Sequence, residues 1–488
     1  MKFLTSKLLS VILLVLLAAD LGYSFYNYYF STIDGDFPAI VLATEPYNKV
    51  LEDPFGMDVL GGDRYAAPNR FTAHAVMSTY FKTVPFALQY VTNPIESIYL
   101  CIALTKILVH IGLLFLISYY VSAWNGFRWK NILIAAVIIS PLFHSSLVYV
   151  DQLSVIDPCI TYVMFYPLPI CAILLYFLPF YRYLITGMIS RSPIFIAVWM
   201  VFALFLVLFG PLPAPILITG ISILFAHIVI KNFGRNPDPE HFRRLLTAAT
   251  TINRTVLISL SGTLILSFYS MYIGSKNTEN DWSPLALEER YSKLFTGVKE
   301  ILSNQNYGLQ FWYAATAFNL ILLYLLYRKR HRKYFKLVFF LFVFCLLYIA
   351  MLPLGGYRDY RPLILRRDTL IPVTCIVMYC WASSGMLLAA ALPKFKKAGI
   401  FVFIAGISFY YTQKDFVPFS ALNTPCEKTV LSTIAASETD CIALPRDCTI
   451  ASWNFNNECA QSENVATLLY YYNITPRKIY IHYPENVE

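Results

Sequence analysis

Two acids separated by one glycine, Asp34-Gly35-Asp36 in FSTIDGDFP, stand just beyond the chain's first apolar run. In an extended segment, residues two apart project to one side, and a glycine between them lets a ligand approach the backbone. One such carboxylate can take the proton of an incoming hydroxyl, and the pair can hold a divalent cation, with His74 as a further ligand. Nearby membrane and a second negative charge both push one of the two pKa values up, which suits a base working near neutrality. Far along the chain, GYRDYRPLILRRD sets Arg358, Arg361, Arg366 and Arg367 among Tyr357 and Tyr360. The planar guanidinium fork matches phosphate oxygens in pairs, although Asp359 and Asp368 can neutralise half of this cluster. VDQLSVIDP adds Asp151 and Asp157. Lys106 and His110 lie one helical turn apart inside an apolar run, where ionisable groups mark function by default. At 1.5 Å per residue, Lys106 is about 12 Å from the nearer end of that run, close enough for its stem to snorkel.

These residues must be positioned by membrane spans. The chain is 57% hydrophobic and 14% charged, far from the balance of a soluble globular protein. About 20 apolar residues cross the hydrocarbon layer, and eleven stretches qualify. They are Leu8–Phe30, Ile98–Ser122, Ile132–Val150, Cys159–Tyr181, Ile194–Phe209, Pro215–Ile230, Thr255–Gly274, Leu309–Tyr327, Leu337–Pro353, Leu370–Leu392 and Ala398–Thr412. The fold class expected is therefore an all-α polytopic membrane protein, residues 1–412, followed by a small exported α/β domain, residues 413–488. With a cytoplasmic N-terminus, the inner segments hold 20 of the 38 Lys and Arg but only Asp238 and Glu240 of the 29 acids. That is the positive-inside bias, and it makes RKRHRK at Arg328 an orientation anchor; no nucleic-acid partner is expected. Met1–Ala19 has signal-peptide features, but its continuation into LGYSFYNYYF, an aromatic belt, favours a retained span.

The outward segments are then residues 31–97, 275–308 and 354–369 and the tail. The first is expected to carry interfacial helices, and PLALEERYSKLFTGVKEIL in the second reads as an amphipathic helix. In the tail, CIALP and KIYIHY read as short strands around a helix at Val465–Tyr472. FGPLPAP reads as a tight turn between spans. Cys101, Cys159, Cys171, Cys345, Cys375 and Cys380 fall in or beside spans as small apolar residues. Cys426, Cys441, Cys448 and Cys459 crowd the exported tail and read as two disulfides, with the pairing open. His74 reads as a surface residue, and Asp20, His144 and His227 as packed or interfacial ones.

Arginines and an acid pair meeting at the outer leaflet are the minimum for glycosyl transfer from a lipid phosphate: one group deprotonates the acceptor, others stabilise the departing phosphate. The layout resembles the GT-C superfamily of membrane glycosyltransferases, which includes oligosaccharyltransferase catalytic subunits, protein mannosyltransferases and the bacterial aminoarabinose transferase. It resembles the uncharacterised bacterial branch of that group more than any member with a known substrate. The resemblance rests on Asp34-Gly35-Asp36 after the first span, the helical first loop and Asp151 or Asp157 as a second acid. It implies Asp34 or Asp36 as catalytic residue. It also implies a polyprenyl-phosphate-type sugar donor, a saccharide, lipid or protein acceptor, surrounding membrane lipids, and a bacterial inner membrane with a periplasmic tail. The tail lacks WWDYG, which disfavours transfer to asparagine. A transporter or flippase of a lipid-linked saccharide would use the same arginines without chemistry. A polysaccharide polymerase or ligase would not need the acid pair.

Overall fold

The computed structural model of the chain describes residues 6–144, 155–233, 253–280, 285–304, 307–355, 363–391, 399, 402–407, 409–411 and 420–484. Of the candidate site residues named above, Asp151, Tyr357, Arg358, Tyr360 and Arg361 lie outside the described residues. Backbone polar groups inside hydrocarbon must be satisfied within their own segment, so an apolar chain of this length folds as helices. The first long one is α1 (Ser6–Tyr29), followed by α2 (Phe37–Leu42), α3 (Asn48–Glu52), α4 (Met57–Leu60) and α5 (Phe71–Leu88) in the first loop. Then come α6 (Pro94–Ser122), α7 (Trp129–Ile139), α8 (Ile160–Phe165), α9 (Pro167–Thr186), α10 (Pro193–Val207), α11 (Pro213–Phe233) and α12 (Arg254–Gly274). The amphipathic α13 (Leu287–Asn304) precedes α14 (Tyr307–Tyr327), α15 (Arg332–Met351) and α16 (Arg367–Ala391).

Among the described residues, seven helical stretches are long and apolar enough to cross a membrane: Lys7–Tyr29, Pro94–Asn125, Ile160–Thr186, Arg254–Gly274, Gln310–Tyr327, Arg332–Gly355 and Arg367–Ala391. The other four expected spans fall on shorter apolar helices, Trp129–Phe143, Pro193–Val207, Pro213–His227 and Val402–Tyr411. In the first of these, Pro141 sits where regular helix gives way to a single 3-10 turn, since proline lacks the N–H that would continue it. Gly210, at φ 120°, forms the turn between α10 and α11; a β-carbon there would lie 2.7 Å from the Phe165 carbonyl oxygen.

The tail carries α17 (Ser420–Ala435), α18 (Glu463–Tyr471) and two three-residue strands, β1 (Cys441–Ala443) and β2 (Tyr480–His482), paired in parallel with Ile442 opposite Ile481. The strands and α18 fall where expected, whereas α17 carries no sequence expectation. Its register buries Val430, Leu431 and Ile434 along one face. Disulfides join Cys426 to Cys448 and Cys441 to Cys459, resolving the open pairing.

Contacts between loops sort the helix ends into two sets. At one end, the first loop meets the turn before α11 through Thr72 N–H to the Leu208 carbonyl (3.0 Å). It meets the segment after α12 through Arg70 to Glu279 (3.1 Å), and the tail through the Gln89 amide to the Tyr472 carbonyl (2.9 Å). At the other end, the Trp124 indole donates to Tyr379 (2.6 Å) and the Thr255 hydroxyl to the Ser190 carbonyl (2.9 Å). The first loop and the tail therefore share one end, called the tail end below.

A membrane-impermeant maleimide applied to intact cells should treat Tyr90→Cys and Asn457→Cys alike and Arg330→Cys oppositely, all three positions being exposed. Labelling of Asn457→Cys together with Arg330→Cys, but not with Tyr90→Cys, would overturn this assembly.

Candidate functional site

Four pieces of chain converge at the tail end: the exit of α1, the middle of α6, the entry to α8 and the start of α16. Ser31 to Asp34 leave α1 without regular structure, and Gly35 and Asp36 turn into α2. The pair therefore does not lie in an extended strand, and its two side chains diverge. Asp34 turns inward and is 5% exposed. Thr161 donates to it twice, from its backbone N–H (2.9 Å) and its hydroxyl (2.7 Å), and the Asp36 N–H adds a third bond at 3.2 Å. Burial, then the charge of Asp36, push the Asp34 carboxyl up to about 6 against the opposing pull of Thr161 and Lys106. Asp36 stays half-buried, and its carboxylate accepts a bond from the indole N–H of Trp453 in the tail at 2.9 Å.

Lys106 is fully buried rather than snorkelled. Its ammonium donates to the Ser31 hydroxyl (2.6 Å) and to the Pro158 carbonyl, which fixes it between the exit of α1 and the entry to α8. Arg367 makes a two-pronged bond to Asp157 at 2.6 and 3.1 Å, and Asp157 also caps the Cys159 N–H at 2.8 Å. Arg366 is paired with Asp368 in its own helical turn. The structure thus brings together Asp34, Lys106, Asp157 and Arg367, and pairs both described arginines with carboxylates.

A fifth group was missed by sequence reasoning. Glu427 of α17 is fully buried, where it accepts from the Ile33 N–H (3.2 and 3.3 Å) and the Tyr99 hydroxyl (2.7 Å). Burial pushes its carboxyl up to about 8, with Asp34 adding to the rise against the bonds from Tyr99, Ile33 and Ala451. A signal existed: Glu427 precedes Val430, Leu431 and Ile434 at helical spacing, so the acid occupies a core position. Beside it, Lys428 lies over the rings of Tyr29 and Tyr99, 4.2 and 4.5 Å from their centroids, and pairs with Glu96 at 2.7 Å.

His74 is not a surface residue. It is 1% exposed, packed between Tyr47 and Phe165 with ring centroids 5.1 and 4.9 Å away, and its Nε2 has no hydrogen-bond partner among the described residues. Burial, then Arg70, hold its pKa down to about 3, so the ring is neutral at neutral pH. It does not join Asp34 and Asp36 around an ion. Among the described residues, the one group of three side chains with ligand atoms within 4.8 Å of one another is Cys441, Cys459 and His482, and its cysteines are disulfide-bonded to each other. Within the bundle, Asp20 bonds His144 (2.8 Å) and Ser140, while His227 packs on Phe340 with centroids 4.5 Å apart.

The raised carboxyl of Glu427 gives a signed pH dependence. Its proton is held to about pH 8 when folded and released near the ordinary 4.5 when unfolded. The docked state is therefore fully favoured below about pH 4.5, and stability falls as pH rises through 8, by an amount on the order of a few kcal/mol. Glu427→Gln should flatten that fall in thermal unfolding in detergent; an unchanged slope from pH 5 to 9 would remove the assignment. Asp157→Ala strands a buried guanidinium and should cost about 3–5 kcal/mol, with part regained in Asp157→Ala/Arg367→Met. Additive losses in the double variant would show that the pair is not coupled.

The chain matches no protein-family model, no curated protein and no solved structure, so its functional reading rests on this geometry.

Proposed function

We propose that the chain is an integral-membrane glycosyltransferase of the GT-C kind, transferring a sugar from a polyprenyl-phosphate-type lipid donor at the tail end of the bundle. The observation that carries this reading is the division of labour between the two acids. Asp34 is buried and bonded to Thr161, whereas Asp36, in the turn beyond the first span, is half-buried and bonded to a half-exposed indole. Asp36 is then the base: it takes the acceptor hydroxyl's proton as that oxygen bonds to the anomeric carbon. The bond from this carbon to the lipid-phosphate oxygen breaks, and its electron pair leaves with the phosphate. Asp34 is a positioning residue that fixes the turn carrying Asp36.

The departing charge falls to the arginine-rich stretch, whose Arg366 and Arg367 reach the same end. Since both are engaged with acids, Arg358 and Arg361 are the proposed phosphate ligands. Two disulfides in the tail support an oxidising compartment on this side. The proposal includes with it an inner membrane, a cytoplasmic N-terminus, eleven spans and an exported tail domain. In membranes supplied with polyprenyl-phosphate sugars, Asp36→Asn should lower sugar transfer at least about a hundredfold while expression and melting temperature hold. Transfer by Asp36→Asn at the parent rate would overturn the assignment.

A further inference from the structure

The tail loop that covers Gly35 leaves aromatic and amide side chains exposed. Trp453 sits on this glycine so closely that a β-carbon would lie 2.5 Å from the Trp453 backbone nitrogen and 2.6 Å from its Cδ1. Its indole N–H is held by Asp36 at 2.9 Å, yet half of the residue, 50%, remains exposed. Tyr162 of α8 lies alongside at 6.3 Å between centroids and 30° between planes. The flanking residues, Asn454, Phe455 and Asn457, are exposed as well. The loop is braced at several points. Ser452 Oγ bonds both the N–H and the carbonyl of Asn454, at 3.3 and 2.8 Å. Phe455 packs edge-on against Tyr483 at 4.8 Å, Arg446 holds the Asn457 amide oxygen at 2.8 Å, and Cys459 closes the segment by its disulfide.

An indole and amide side chains on one braced loop, with the Asp36 carboxylate of the first loop beside them, match one ligand chemistry. A pyranose ring offers a face of C–H groups, weakly positive, to the negative face of an aromatic ring, and hydroxyls at its edge to acceptors and amides. We infer that Trp453, Asn454 and Asp36 form a saccharide subsite, in which a pyranose stacks on the indole and places a hydroxyl at the Asp36 carboxylate. This rests on the reading of Asp36 as base and names the acceptor as a saccharide. Fixing the indole through Asp36 and Gly35 before binding lowers the ordering cost.

The test separates binding from transfer. Full-length chain in lipid nanodiscs, fluorescently labelled on the scaffold, is applied to a printed array of pyranose glycans with no lipid donor. Binding is expected to a subset sharing a terminal sugar, weakened about tenfold by Trp453→Ala and retained within about threefold by Trp453→Phe. Both tail disulfides and the melting temperature should persist in each variant. If Trp453→Ala unfolds the tail, Asn454→Ala at its exposed position replaces it, with several-fold weaker binding expected. Binding to no glycan, or binding unmoved by these variants, overturns the subsite even if transfer depends on Asp36. Glycan binding through Trp453 in a chain that transfers no sugar keeps the subsite and removes the transferase reading.

Discussion

Four charges taken out of water hold the tail end together. Asp34 and Asp157 bring two negative charges, Lys106 and Arg367 two positive ones, and all four are at least nine-tenths buried. Removing an ion from water costs several kcal/mol, repaid only if partners and hydrogen bonds surround it. Here they do: Thr161 serves Asp34, Ser31 and the Pro158 carbonyl serve Lys106, and the two-pronged Arg367 serves Asp157. Because the four come from the exit of α1, the middle of α6, the entry to α8 and the start of α16, their neutralisation fixes the register of those elements. A slide that parted these groups would leave a buried charge without its partner.

The tail answers to the same place. Glu427 reaches into it from above, Thr424 bonds the Phe30 carbonyl, and Trp453 closes over Gly35. Two disulfides bind α17 and the loop after Ala451 into one unit, so the indole and the buried carboxyl approach the α1 exit together. What looks in the sequence like an appended domain is a structural part of the first loop's surroundings.

The apolar helices were legible because hydropathy summed over about 20 residues outweighs local noise, and seven of the eleven expected spans are long enough to cross a membrane; α13, α18 and both strands also fall on stretches read as such. The existence of two disulfides followed from cysteines crowded beyond the last span, but their connectivity did not, since four cysteines allow three pairings. The acid pair was found by its position and misjudged in its geometry: the Asp34 carboxylate captures the Asp36 N–H, which starts a turn and parts the side chains. Arg366 and Arg367 were read as phosphate ligands because nothing local reveals that Asp157, 210 residues away, engages one of them. Trp453 carried no signal at all, being one exposed aromatic among many.

The bond between Ile33 and Glu427 spans 394 residues. A ribosome delivers the first partner long before the second, and the chain enters the membrane as it is made. Until the tail is in place with its disulfides formed, the turn carrying Asp36 lacks its ceiling. Formation of this surface is thus tied to synthesis of the tail.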